Sequence, residues 1–128
     1  MKDLRASAKA TLESKEQKRP EELEGREFIE IESIIFRGLP ISVNGIIPYE
    51  KSGKPKAYYL FDIDDKPYYF ATGAGSLVEI VNNWVELYEG DLNELNKDLK
   101  NSPIPFLITK GKAQDSGNTF YKVDIPDN

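Results

Sequence analysis

The sequence contains no cysteine and no histidine, and these two absences exclude several kinds of site. Without cysteine there is no disulfide framework, and without either residue type the usual nitrogen- and sulfur-liganded zinc sites are excluded. Nucleophile pairs of the Ser-His and Cys-His type are excluded as well. Carboxylates, lysines and tyrosines are the catalytic groups that remain. We therefore expect a protein that is not an enzyme and that uses no cofactor or metal ion.

Long hydrophobic runs are also missing from the 128 residues. No apolar stretch approaches the roughly 18 residues of a membrane span, and the N-terminus lacks the apolar region of a secretory signal. We expect a cytoplasmic protein with no membrane partner. The length favours a single domain with its own core.

The formal net charge of −5 is unevenly distributed along the chain. Five of the ten Lys/Arg residues in 27–128 fall in two short stretches, Lys51/Lys54/Lys56 and Lys110/Lys112. Residues 79–98, in contrast, carry six acidic residues and one lysine. Because local potential governs docking more than net charge does, the two lysine stretches are compatible with an anionic partner.

Residues 1–26 differ from the remainder of the chain, because charged and small residues alternate and large apolar residues are sparse. Such a stretch buries too little surface to offset the entropy of ordering it. We predict a flexible N-terminal arm over 1–26 and one folded domain over 27–128. A second interpretation of the arm is an electrostatic tether or a tail that binds a partner.

The pattern of the domain predicts three strands, a helical region and two further strands. The strands are expected over residues 34–50, 57–63, 68–72, 104–112 and 119–125, with Gly45 as a bulge in the first. A capping box at Ser76–Glu79 predicts the start of a helix, and Asp91 predicts the cap of a second, short helix. This order is typical of the OB-fold, a five-stranded, partly open barrel with a helix between strands three and four.

Six aromatic residues fall between Ala57 and Thr72, on either side of the turn-like Asp64–Pro67. Pairing Ile63 with Tyr68 and Phe61 with Phe70 places alternate residues on a core face: Tyr59, Phe61, Ile63, Tyr68 and Phe70. The opposite face carries Asp62, whose charge indicates that this face is solvated. Tyr58 and Tyr69 on that face are our candidates for stacking on unpaired bases. Ordinary cross-strand packing explains the same rings, and a one-residue slip would exchange the two faces.

The complete candidate site joins these two rings to marginal aromatics and to both lysine stretches. Its residues are Tyr49, Lys51, Lys54, Lys56, Tyr58, Tyr69, Lys110, Lys112, Phe120 and Lys122. The lysines would neutralise backbone phosphates, which supply most of the affinity that does not depend on sequence. Solubility alone also explains lysine in loops. For Asp62, Asp64 and Asp65, a role in the turn is favoured over metal binding, because a calcium loop needs a glycine and a distal glutamate.

Four segments resemble the small single-stranded-DNA-binding proteins of phages and conjugative elements in Gram-positive bacteria. They are the aromatic run 57–61, the helix 76–84, the stretch 90–96 and the closing hairpin formed by 106–110 and 118–121. The resemblance extends over about 90 residues, from Phe36 to Ile125. It implies a non-catalytic OB-fold that coats single strands.

The expected function is binding of single-stranded DNA with little sequence preference, in replication, recombination or conjugative transfer. Partners would be the DNA itself and proteins of those processes, and a homo-oligomer or a cooperative filament on DNA is compatible with exposed barrel edges. The chief alternative is a non-catalytic protein-interaction module that uses the same barrel or the acidic helical face. A carboxylate-metal nuclease is a third possibility.

Overall fold

The computed structural model describes Leu4, residues 21–112 and residues 119–126. A 3-10 turn over Glu21–Leu23 precedes the sheet. The strands are β1 (Glu27–Phe28), β2 (Ile41–Lys51), β3 (Lys54–Ile63), β4 (Lys66–Thr72), β5 (Ile104–Lys112) and β6 (Thr119–Asp124). The helices are α1 (Ile31–Arg37), α2 (Gly75–Leu87) and α3 (Leu92–Asn101). In this described part of the chain, no helix has the length and apolarity needed to cross a membrane.

The strands form one mixed sheet in the order β1-β4-β3-β2-β5-β6. The strand pairs are antiparallel, apart from the parallel pair of β1 and β4. Strand β5 changes partner along its length, because Ile104–Phe106 pairs with β2 and Leu107–Lys112 pairs with β6. A mostly β fold with helices, as the sequence predicts, is thus confirmed. The described residues contain six strands where five were predicted, and the additional one is the two-residue β1.

Helix α1 occupies residues that the sequence analysis assigned to the beginning of the first strand. Ile31, Ile34 and Ile35 recur at helical spacing, and all three pack against the core. Gly38 ends the helix in the left-handed conformation, with φ of 67°, and its N–H donates to the carbonyl oxygen of Ile35. A run of four apolar or small residues fits a buried strand and a short helix equally well, which explains the error.

Strand β2 contains the bulge that Gly45 predicts. Its register against β3 shifts between Val43 and Gly45. A Cβ atom on Gly45 would lie 2.7 Å from Cδ1 of Leu60, so the missing side chain allows β3 to approach closely. Next to the bulge, the side-chain amide of Asn96 in α3 bonds with both the N–H and the carbonyl oxygen of Ile46. Helix α3 is thereby fixed to the centre of the sheet.

Helices α2 and α3 pack on the inner face of the sheet and complete the core. One apolar stripe of α2 contacts the core, since Leu77 and Val81 are buried and Trp84 packs beside them. The predicted capping box is wrong: α2 begins one residue before Ser76, whose hydroxyl donates to the carbonyl oxygen of Tyr121. The predicted cap of α3 is confirmed, because the Asp91 carboxylate accepts from the N–H of Glu94.

Candidate nucleic-acid interface

The β3–β4 hairpin turns at Asp64 and Asp65, which both have positive φ, of 51° and 65°. This conformation is typical of a two-residue hairpin turn. Lys66 and Pro67, which were predicted to lie in the turn, belong to β4. The observed pairs are therefore Ile63–Lys66, Phe61–Tyr68 and Tyr59–Phe70, two residues away from the predicted pairing.

The assignment of residues to the inner face is correct despite this register error, because a shift of two residues keeps every side chain on the same side of the sheet. Tyr59, Phe61 and Phe70 are buried in the core, and Ile63 and Tyr68 pack against it. The Tyr59 hydroxyl donates to the carbonyl oxygen of Leu77 at 2.5 Å. Burial raises the pKa of Tyr59 well above its ordinary value. The inner face of the hairpin is thus structural.

The outer face of the hairpin is more covered than the sequence predicts. Tyr69 is only 5% exposed, because Leu23 of the 3-10 turn packs against it and against Leu60. Tyr58 is half-buried in the same cluster. The prediction that Tyr69 offers a free ring for stacking is therefore wrong, and Tyr58 offers only part of its surface.

Arg26 attaches the segment that contains Leu23 to the sheet. Its guanidinium donates to the carbonyl oxygens of Phe61 and Tyr68 at 3.3 and 3.2 Å, and it lies 3.5 Å from a carboxylate oxygen of Asp62. Asp62 itself is exposed, in agreement with a solvated position. Residues 21–26, which the sequence analysis placed in the arm, thus pack on the domain.

Four aromatic rings form a row across the outer face, one from each of β2, β3, β4 and β1. Tyr49 stacks on Tyr58 with ring centroids 4.4 Å apart, and Tyr58 meets Tyr69 edge-on at 6.0 Å. Phe28 then meets Tyr69 edge-on at 5.6 Å. Tyr69 is covered and Tyr49 and Tyr58 are half-buried, so Phe28 is the exposed ring of the row. Phe28, which is 52% exposed, was not selected from the sequence because β1 was not predicted.

The two ends of the row differ in charge. Glu27 and the glutamates of the 3-10 turn lie beside Phe28 in the chain. Tyr49 instead pairs with Lys56, and the last pair of the β2–β3 ladder is Lys51 with Lys54. Burial, followed by the neighbouring Tyr58 hydroxyl, raises the pKa of Tyr49 above its ordinary value. An anion is therefore favoured at the Tyr49 end.

A groove begins at this basic end and crosses the C-terminal end of β4. Its first part, of about 140 Å³, is lined by Tyr49, Lys51, Lys56 and Ala71–Gly73. Its second part, of about 610 Å³, is lined by Ile31, Ala71–Ser76, Phe120 and Tyr121. Both parts share Ala71–Gly73 in their linings and are therefore adjacent. We call the two parts together the β4-end groove.

Phe120 supplies an exposed ring on the far side of the β4-end groove. It is 49% exposed and pairs with Gly111 of β5. Its ring lies over the backbone of Gly111, where a Cβ atom would come within 2.6 Å of Cζ. Lys122, two residues further along β6, is exposed and lies on the same face. The β4-end groove thus has an aromatic ring and lysines near both ends.

Lys110 differs from the other predicted phosphate ligands because it already has an anionic partner. Its Nζ lies 2.9 Å from Oε1 of Glu32 in α1, and the Tyr121 hydroxyl donates to the same carboxylate. The hydrogen bonds from Lys110 and Tyr121 lower the pKa of Glu32. The prediction of Lys110 as a free phosphate ligand is corrected accordingly. Lys112 pairs with Thr119 through the backbone, and its side chain lies outside the described residues.

No group of three or more Asp, Glu, His or Cys residues that could hold a metal ion occurs in residues 21–112 and 119–126. Asp64 and Asp65 form the hairpin turn, and Asp62 faces Arg26.

The chain matches no protein-family model, no curated protein and no solved structure. The site is therefore interpreted from its own geometry.

Proposed function

We propose that this protein binds single-stranded DNA along the β4-end groove, with little sequence preference and without catalysis. The observation that carries the proposal is that the two parts of this groove are adjacent at Ala71–Gly73. Tyr49, Lys51 and Lys56 from one hairpin line the first part, Phe120 from another hairpin lines the second part, and Ala71–Gly73 lines both.

We further propose that the sheet is an OB-type barrel. Strands β2 to β6 support this, because β2 pairs with both β3 and β5 and because β5 continues to β6. Helices α2 and α3 lie between β4 and β5, as the helix of an OB-fold does. In that fold, oligonucleotides cross the second and third strands between the loops after strands one and four. Counting from β2, these strands are β3 and β4, and the two connections are those from β2 to β3 and from β5 to β6.

The chemistry of the groove suits a nucleic acid backbone with unpaired bases. Phe120 is exposed and Tyr49 is half-buried. Any base can stack on an aromatic ring, so binding needs no particular sequence. Tyr58 lies behind Tyr49 and holds its ring in place. Lys51, Lys54, Lys56 and Lys122 neutralise phosphates, and released counterions then contribute to affinity. Biologically, such binding serves replication, recombination or conjugative transfer, with the proteins of those processes as partners.

The test is an anisotropy titration with fluorescein-labelled oligothymidine at several salt concentrations. The unmodified protein should bind, and log Kd should rise linearly with log salt. Tyr49→Ala and Phe120→Ala should each weaken binding by roughly 5- to 150-fold, equivalent to about 1–3 kcal/mol for one stacked base. Tyr49→Phe should bind almost as tightly as the unmodified protein, because the ring is kept.

Matched controls lie outside the groove. Phe36 is 93% exposed on α1, so Phe36→Ala removes an exposed ring of the same type as Phe120→Ala does. Lys66 is exposed at the opposite end of β4, so Lys66→Ala is the control for Lys51→Ala and Lys56→Ala. Equal losses in the control and groove variants, or an affinity that ignores salt, would contradict the proposal.

The alternative is a non-catalytic protein-interaction module on the same scaffold. The acidic helices α2 and α3, which enclose an apolar groove of their own, favour it. Such a module would leave oligothymidine unbound at every salt concentration. A carboxylate-metal nuclease would instead cleave the oligonucleotide when magnesium is added, and Asp62→Ala would abolish the cleavage.

A further inference from the structure

A second groove lies between the C-terminal half of α2 and helix α3. It has a volume of about 270 Å³, and most of its lining is apolar: Trp84, Leu87, Tyr88, Leu95, Leu99 and Ile104. Leu87 is 75% exposed at its edge. A large aliphatic side chain left in water next to an apolar groove indicates a contact surface for another apolar group. We call this groove the α2–α3 groove.

The surroundings of the α2–α3 groove are strongly acidic. Residues 75–101 contain six acidic residues and two lysines. Asp98 lines the groove and accepts a hydrogen bond from the Tyr88 hydroxyl at 2.6 Å. This hydrogen bond, with the nearby carboxylates of Asp98 and Glu94, raises the pKa of Tyr88. The groove therefore favours a partner that is both apolar and basic.

Residues 1–20 of the same chain have this composition. They contain six Lys/Arg and three Asp/Glu residues, together with Leu4 and Leu12. Leu4, which the structure describes, is helical and exposed. The segment thus carries the opposite charge to the α2–α3 groove and offers apolar side chains that can enter it.

The two complementary features lie on opposite sides of the sheet. Residues 1–20 lead into Leu23, which packs on the outer face against Leu60 and Tyr69. Helices α2 and α3 pack on the inner face through Leu77 and Leu95, among other residues. Twenty residues extend over at most about 70 Å, which is enough to reach an adjacent molecule. A contact from one side of a molecule to the other side of the next is head-to-tail and repeats into a ring or an open chain.

We propose that residues 1–20 of one copy dock in the α2–α3 groove of a second copy. Basic side chains of the segment face the carboxylates around the groove, and a leucine of the segment packs beside Leu87 and Trp84. The repeated contact joins molecules head to tail, in a ring or an open chain. This association involves neither Tyr49 nor Phe120, and it does not depend on DNA binding.

The first measurement is sedimentation velocity of the full chain without nucleic acid, at low and at high salt. We expect association that increases with protein concentration at low salt and is lost at high salt, since exposed charges are screened. Trp84 is the single tryptophan of the protein and lines the groove, so its emission should change over the same concentration range. A monomer at every concentration in low salt would overturn the proposal.

Charge reversal identifies the two surfaces. Lys9→Glu with Lys15→Glu changes the net charge of residues 1–20 from +3 to −1, whereas Glu86→Lys with Glu94→Lys changes that of residues 75–101 from −4 to zero. Each double variant alone should associate about tenfold more weakly, as expected for the loss of a few exposed ion pairs. A mixture of the two should associate again, because the unmodified segment of the groove variant then meets the unmodified groove of the segment variant. Docking of the segment within its own molecule would leave the mixture monomeric, and that result would overturn the proposal.

Two further variants separate this contact from general electrostatics. Glu27 and Glu30 are exposed and lie away from α2 and α3, so Glu27→Lys with Glu30→Lys should associate as the unmodified protein does. Leu87→Ser removes the apolar contact without a change of charge and should weaken association, while the thermal midpoint stays unchanged. Unaltered association in Leu87→Ser would contradict docking in the groove.

Discussion

Lys110 and Glu32 form an ion pair between β5 and α1, with Nζ and Oε1 2.9 Å apart. The pair joins a helix to a strand that are 78 residues apart in the chain. It also places a carboxylate beside the β4-end groove, since Tyr121 contacts the same carboxylate and lines that groove. Glu32 therefore competes with any phosphate that approaches Lys110.

Glu32→Gln should release Lys110 for phosphate binding, while the amide oxygen still accepts from Tyr121. We expect tighter binding of oligothymidine and a salt dependence that is steeper by about one unit, as for one added phosphate contact. The comparison is an anisotropy titration over a series of salt concentrations. Glu30→Gln, an exposed neighbour in the chain, is the control and should leave the slope unchanged. Identical slopes for both variants would show that Lys110 lies outside the DNA path.

Gly111→Ala should displace the ring of Phe120, because the added Cβ would meet Cζ at 2.6 Å. Phe120 is exposed and can rotate away, so the thermal midpoint should change little. Affinity for oligothymidine should fall towards that of Phe120→Ala. When Gly111→Ala and Phe120→Ala are combined, the second substitution should lower the affinity hardly any further, and a double-mutant cycle measures this. Fully additive losses would mean that Gly111 does not act through the ring.

Asn96→Ala should destabilise the fold through the backbone of Ile46. The amide of Asn96 accepts from the Ile46 N–H at 2.8 Å and donates to its carbonyl oxygen at 3.0 Å. Leaving such groups unpaired costs about 1–3 kcal/mol of unfolding free energy. Urea unfolding measures the change. Asn93→Ala, at an exposed position of the same helix, should stay close to the unmodified protein. Equal effects of the two substitutions would refute a specific role for Asn96.

Tyr59→Phe should make stability less sensitive to alkaline pH. Burial raises the pKa of Tyr59 in the folded state above its ordinary value of about 10. Above pH 10 the unfolded chain therefore loses a proton that the folded chain keeps, and stability falls as the pH rises. Removing the hydroxyl removes this contribution. At pH 7 the unfolding free energy of the variant should instead be about 0.5–1.5 kcal/mol lower, because the hydrogen bond to the carbonyl oxygen of Leu77 is lost.

Urea unfolding of both proteins at pH 7 and pH 11 measures the two effects of this substitution. The loss of stability between these values should be smaller in Tyr59→Phe than in the unmodified protein. Equal losses would indicate that Tyr59 titrates normally in the fold.

The order of strands and helices along the chain was accessible from the sequence where periodicity is long. The apolar stripe of α2 runs over several turns, and the aromatic hairpin alternates over its whole length, so both were recognised. Helix α1 was missed because its seven residues are too few for the period to be unambiguous. The hairpin register was missed because Asp64–Pro67 fits a four-residue turn and a two-residue turn equally well.

The candidate site was accessible only in part. Residue type selected Phe120, Lys51 and Lys54, which the structure places at the surface, and Tyr49, which is half-buried. The burial of Tyr69 depends on Leu23, which lies 46 residues away in the chain, and the pairing of Lys110 depends on Glu32, which lies 78 residues away. Local pattern contains no information on such contacts.

Composition and periodicity by themselves determined a mostly β domain, an inner face of packed rings and the segregation of basic turns from acidic helices. These properties follow from which side chains prefer water and how often they recur. Which rings stay accessible, which lysine is already paired and which hairpin ends meet in one groove were decided by tertiary structure alone. They depend on the burial and pairing of side chains from distant segments, and only the folded chain brings those segments together.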